Sequence, residues 1–77
     1  MKYEVRLWKP KADKLVTIAT SKNSGDACTV AEALYKEFKT QAEVWENDGK
    51  HAPRRTVRLD EEGWTFWEDP THARRSS

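Results

Sequence analysis

Arg6, Trp8, Trp45, Arg58 and Trp67 are the side chains of this sequence best suited to recognition chemistry. Tryptophan and arginine are the types most enriched among interface hot spots, the first as a large rigid ring and the second as a planar cation. Arg54, Arg55, Arg58, Arg74 and Arg75 form a second set whose chemistry would be phosphate contact, with sheet aromatics stacking on bases. Residues suited to catalysis do not assemble. Gly25, Gly49 and Gly63 lack the spacing of a phosphate-cradling loop. His51 and His72 stand apart, in a loop and in the tail, without the spacing of metal ligands. Glu61 and Glu62 sit in a turn, where acidic neighbours are ordinarily solvated. Cys28 lies among Ala27, Val30 and Ala31 with no histidine near it in sequence, the setting of a small core residue. The expectation is a non-catalytic protein with no cofactor and no metal.

Positioning those side chains requires strands that alternate. Tyr3-Glu4-Val5-Arg6-Leu7-Trp8 has period two, with Tyr3, Val5 and Leu7 on one side and Glu4, Arg6 and Trp8 on the other. Pro10 ends that run because it has no amide hydrogen for a ladder. Leu15–Thr20 is rich in β-branched residues and should return antiparallel, with Val16 and Ile18 facing inward. Asn23 or Ser24 can cap a helix whose first turn carries Asp26, where the dipole favours an anion. Ala27, Val30, Ala31, Leu34 and Phe38 make one apolar stripe, and Glu32 with Lys36 forms an i,i+4 pair on the opposite side. Leu34 and Phe38 are expected to pack on Val5 and Ile18. Three further strands follow at Ala42–Glu46, Thr56–Leu59 and Gly63–Trp67, the first two joined through the turn-forming Asp48-Gly49. Val57 and Leu59 point inward, and Trp64 and Phe66 share a face.

The resulting fold class is α+β: a two-layer sandwich, β-β-α-β-β-β, with an antiparallel sheet of four to five strands and one amphipathic helix on one face. Strand order 2-1-3-4-5 is expected. Residues 1–68 form a single domain, and residues 69–77, poor in apolar types, form a disordered tail.

At 77 residues the chain is too short for a barrel or a complete dinucleotide-binding fold. Its four Trp, two Tyr and two Phe argue against a disordered chain. No run approaches the roughly 18–20 apolar residues of a membrane span. The start lacks a signal-peptide core, and the single cysteine suits a reducing compartment, so a soluble cytoplasmic location is expected. Fourteen basic against thirteen acidic residues give a net charge of +1, with no global pull toward nucleic acid or membrane. The charges are segregated nonetheless: residues 50–58 hold four basic and no acidic groups, residues 60–69 five acidic and no basic ones.

If one sheet face meets the helix, alternation leaves Arg6, Trp8, Thr17, Trp45, Arg58 and Trp67 on the other. An aromatic patch without a second layer marks an interaction site, unless the tail covers it or arginines stack on its rings. Two functions compete. The favoured one is a protein-binding module: an adaptor, an inhibitor, or a subunit of a homodimer joined through the tryptophans. The alternative is a nucleic-acid binder using Arg54, Arg55, Arg58, Arg74 and Arg75, opposed by the acidic residues 60–69 beside them. The hairpin–helix–hairpin outline with its Asn47-Asp48-Gly49 turn resembles many small phage and mobile-element accessory proteins, an outline that transfers no residue role.

Overall fold

The computed structural model describes residues 2–67. The elements follow in the order β1 (Lys2–Lys9), β2 (Lys14–Ser21), α1 (Ser24–Phe38), β3 (Ala42–Asn47), β4 (Arg54–Asp60) and β5 (Gly63–Phe66). All neighbouring strands pair antiparallel in one five-stranded sheet of order β2-β1-β3-β4-β5. The α+β architecture and the strand order agree with the periodicity. The fifth strand is paired, Leu59 lying opposite Trp64 and Val57 opposite Phe66. The tail expected over residues 69–77, with His72, Arg74 and Arg75, lies outside the described residues.

Local chemistry sets the connections. Pro10 opens the β1–β2 turn, Asp13 accepts a left-handed φ of 54°, and the Asp13 amide donates to the Pro10 carbonyl at 3.2 Å. Asn23 is the helix cap: its Oδ1 accepts from the Asp26 amide at 2.8 Å, and its Nδ2 donates to Asp26 Oδ2 at 2.9 Å. Lys39 closes the helix in the left-handed region at φ 58°, donating its amide to the Tyr35 carbonyl at 2.7 Å. Between β3 and β4 the Asp48 carboxylate accepts from the Lys50 and His51 amides, and Gly49 takes a φ of 80°. His51 and these amides hold the Asp48 carboxyl well below the usual carboxylate range.

The helix packs across β1 and β3, touches β2 and β4, and does not reach β5. Its fully buried residues are Ala27 and Ala31, small enough to bring the helix close to the sheet. They meet Val5, Leu7, Ala42, Val44 and Val57, with Tyr3, Ala19, Cys28, Val30, Leu34 and Tyr35 packed around the margin. Cys28 is half-buried there, on the flank of the core, and desolvation raises its thiol pKa.

Two inward assignments are corrected. Ile18 is 42% exposed because β2 bulges: Val5 pairs with Ala19 and Arg6 with Thr17, leaving Ile18 unpaired and giving its inner place to Ala19. Phe38 is 51% exposed because it is the last helical residue; the Lys9 ammonium lies over its ring, 5.2 Å from the centroid.

Candidate functional site

The sheet face opposite the helix carries Glu4, Arg6 and Trp8 from β1, Thr17 from β2, Glu43 and Trp45 from β3, and Arg58 from β4. Register explains the grouping, since Arg6 pairs with both Thr17 and Glu43, Glu43 with Arg58, and Glu4 with Trp45. Trp67 follows β5 and joins them through its ring, with the Arg58 guanidinium 5.4 Å from the centroid. The structure thus brings Arg6, Trp8, Trp45, Arg58 and Trp67 to one face. No other described element covers it.

The face is ordered by stacked cations and two carboxylates. Arg6 lies over the Trp45 ring at 4.2 Å, and Arg55 over the Trp67 ring at 4.1 Å. Glu43 is only 1% exposed, at the centre of the face. Its carboxylate accepts from Trp45 Nε1 at 2.8 Å, from Arg55 Nη1 at 3.4 Å and from the Gln41 side-chain amide. A buried charge with this many donors is held rather than stranded. Glu4 accepts from Asn47 Nδ2 at 2.9 Å, from Arg6 at 2.8 and 3.2 Å, and from Thr17 Oγ1 at 3.4 Å. The hydrogen bond from Asn47, then that from Arg6, lower the Glu4 pKa against an opposing desolvation. Arg58 Nε stands 3.2 Å from Asp60 Oδ2, a charge contact without hydrogen-bond alignment.

Sequence alternation missed Arg55. Arg55 and Arg58 share a face although they are three residues apart, because Trp45 pairs with Arg55 and Val44 with Val57, leaving Thr56 as an extra residue. Nothing in the local sequence announces that bulge. Glu43 was legible, standing two positions from Trp45 on the same strand. Trp64 and Phe66 share a face as expected, but it is the helix side of β5, where they are 37% and 65% exposed because the helix stops short. Their rings stack at 5.9 Å.

The described arginines named for phosphate contact each face a carboxylate. Arg54 pairs with Glu46 at 2.9 Å, Arg55 with Glu43 at 3.4 Å, and Arg58 with Asp60 at 3.2 Å. Arg74 and Arg75 lie outside the described residues. Among the described residues no group of three or more His, Cys, Asp or Glu could hold a metal, and no helix is long and apolar enough to cross a membrane. No protein-family model, curated protein or solved structure matches the chain.

Proposed function

We propose that the chain is a small non-catalytic protein-binding module, an adaptor, inhibitor or subunit, that docks through the open face of its sheet. The observation that carries this reading is the set of Trp8, Trp45 and Trp67, interleaved with Arg6, Arg55 and Arg58, on a face left uncovered by every described element. Stacking of guanidinium on indole fixes these side chains before a partner arrives, which lowers the entropy cost of binding. A protein suits the face better than a phosphate backbone does. Arg6, Arg55 and Arg58 each already face a carboxylate, so the surface is a mosaic of both signs rather than a basic groove.

The test is affinity capture from native lysate, with and without nuclease, by wild type, Trp8→Ala and Trp67→Ala. Trp45 is avoided because its indole nitrogen also holds the buried Glu43. Nuclease-resistant capture that both substitutions weaken by roughly tenfold or more, with melting unchanged, is the expected result. Capture that requires nucleic acid, and collapses by orders of magnitude between about 50 and 200 mM salt, would replace it with the nucleic-acid reading. Capture indifferent to both tryptophans would end the assignment of this face.

A further inference from the structure

We propose that the cleft between the start of β1 and the end of β2 seats an acidic segment of the partner protein, with its carboxylates on Lys2 and Lys22. The proposal rests on the protein-binding reading of the open face and adds the chemistry of the segment that meets one end of it. Charge along the described chain is polarised. Residues 2–22 hold six basic and two acidic groups, residues 23–67 six basic and nine acidic. Within the first set Glu4 pairs with Arg6, and the Lys9 ammonium lies over the Phe38 ring. Lys2, Lys11, Lys14 and Lys22 have no carboxylate partner among the described residues.

Two of these four lysines share a concavity. Lys2 pairs with Asn47 across β1 and β3, and Thr20 with Glu4 across β1 and β2, so Lys2 and Thr20 stand on the open face beside Glu4. Lys22 follows β2 directly. Together with Asn47 and Gly49 they line a cleft of about 590 Å³ at that end of the sheet. Asn47 is already committed there, donating Nδ2 to Glu4 at 2.9 Å and accepting at Oδ1 from the Gly49 amide at 2.8 Å. Asp48 is the one acid among the described lining residues, and its carboxylate is taken up by the Lys50 and His51 amides and the His51 ring. Lys2, Lys22 and the Thr20 hydroxyl remain exposed, without a partner among the described residues. Two ammonium groups and a hydroxyl in one short cleft suit the carboxylates of an extended acidic segment. A nucleic-acid backbone instead presents a run of phosphates and needs basic groups spaced along a groove. Beyond this cleft the next cation on the face is Arg6, already held by Glu4. Lys11 and Lys14 stand about 20 Å away by strand rise, at the other end of the hairpin, with Asp13 between them.

The full chain, isotope-labelled, is titrated at low salt with a short capped peptide alternating glutamate with serine, and with its glutamine counterpart. Amide shifts should centre on Lys2, Thr20–Lys22 and Asn47–Gly49, for the glutamate peptide only. Lys2→Gln with Lys22→Gln should weaken binding roughly tenfold with melting unchanged, because both side chains are exposed and hold nothing in the fold. Lys11→Gln with Lys14→Gln removes the same charge from the other end of the hairpin and should leave binding within about twofold. Trp67→Ala should leave peptide binding unchanged, whatever it does to lysate capture, so the cleft and the tryptophans fail separately. The proposal is overturned by absent shifts at millimolar peptide, by shifts spread over all the lysines, by equal binding of both peptides, or by equal losses from the two lysine pairs. Inorganic phosphate giving the same shifts at lower concentration than the peptide would also overturn it, the occupant then being a free anion. Assembly of the free chain that the Lys2 and Lys22 substitutions abolish would overturn it in favour of a second copy.

Discussion

Glu4 shows how the open face is held at the level of a single side chain. Its carboxylate gathers Arg6 from its own strand, Thr17 from β2 and Asn47 from the end of β3, and those donors favour the charged form. A folded-state pKa below the unfolded value means that the unfolded chain binds the proton more readily. The stabilisation is therefore complete above the ordinary value of 4.5 and is lost as pH falls through the lowered folded value. Glu4→Gln should cost about 1 kcal/mol at pH 7, and the gap to wild type should close as the medium is acidified below the usual carboxylate range. Urea midpoints at a series of pH values check this, and a gap that widened in acid would remove Glu4 from the role. The partnerships with Asn47 and Thr17 could not be read from spacing, because they lie 43 and 13 positions from Glu4 and meet it only once the strands pair.

At the scale of elements, the sequence was legible where the period was clean and illegible where an extra residue broke it. Tyr3–Trp8 and Ala42–Glu46 alternate without interruption, and their faces fall as expected. β2 and β4 each contain one residue more than their partner strand can match, at Ile18 and Thr56, and every assignment on one side of the bulge changes face. Hence Ile18 is exposed, and Arg55 stands over Trp67 beside Arg58. The helix stripe was placed correctly in angle but not in length, since the final turn overhangs the layer that would bury it. That turn offers a direct test. Lys39 adopts φ 58° at the helix end, a region where a side chain costs about 1 kcal/mol and glycine costs nothing steric. Lys39→Gly should raise stability by about 0.5–1 kcal/mol without changing the fold. A lower melting temperature would show that the lysine side chain contributes something the backbone geometry does not reveal.

For the whole molecule, the distribution of bulk decides what a substitution does. The fully buried apolar set is Val5, Leu7, Ala27, Ala31, Ala42 and Val44, with Val57 and Leu59 nearly so, while Phe38, Trp64, Phe66 and Trp67 remain exposed. A domain of this size gains no more than roughly 3–5 kcal/mol from a single core. Leu7, 1% exposed, is among the largest fully buried side chains and sits under the helix on the central pair of strands. Leu7→Ala removes about 2–5 kcal/mol, counting the lost transfer energy and the cavity left behind. That is comparable to the whole stability, so the variant should be largely unfolded at 25 °C. Phe38→Ala, which stripe periodicity alone would rank as equally severe, should instead cost less than about 1 kcal/mol, because the residue is half in solvent, with the Lys9 ammonium over its ring. Circular dichroism melts of the two variants decide the matter. A folded Leu7→Ala beside an unfolded Phe38→Ala would mean that the helix sits one turn further along the sheet than described, with Phe38 over the core and the alanines at its margin.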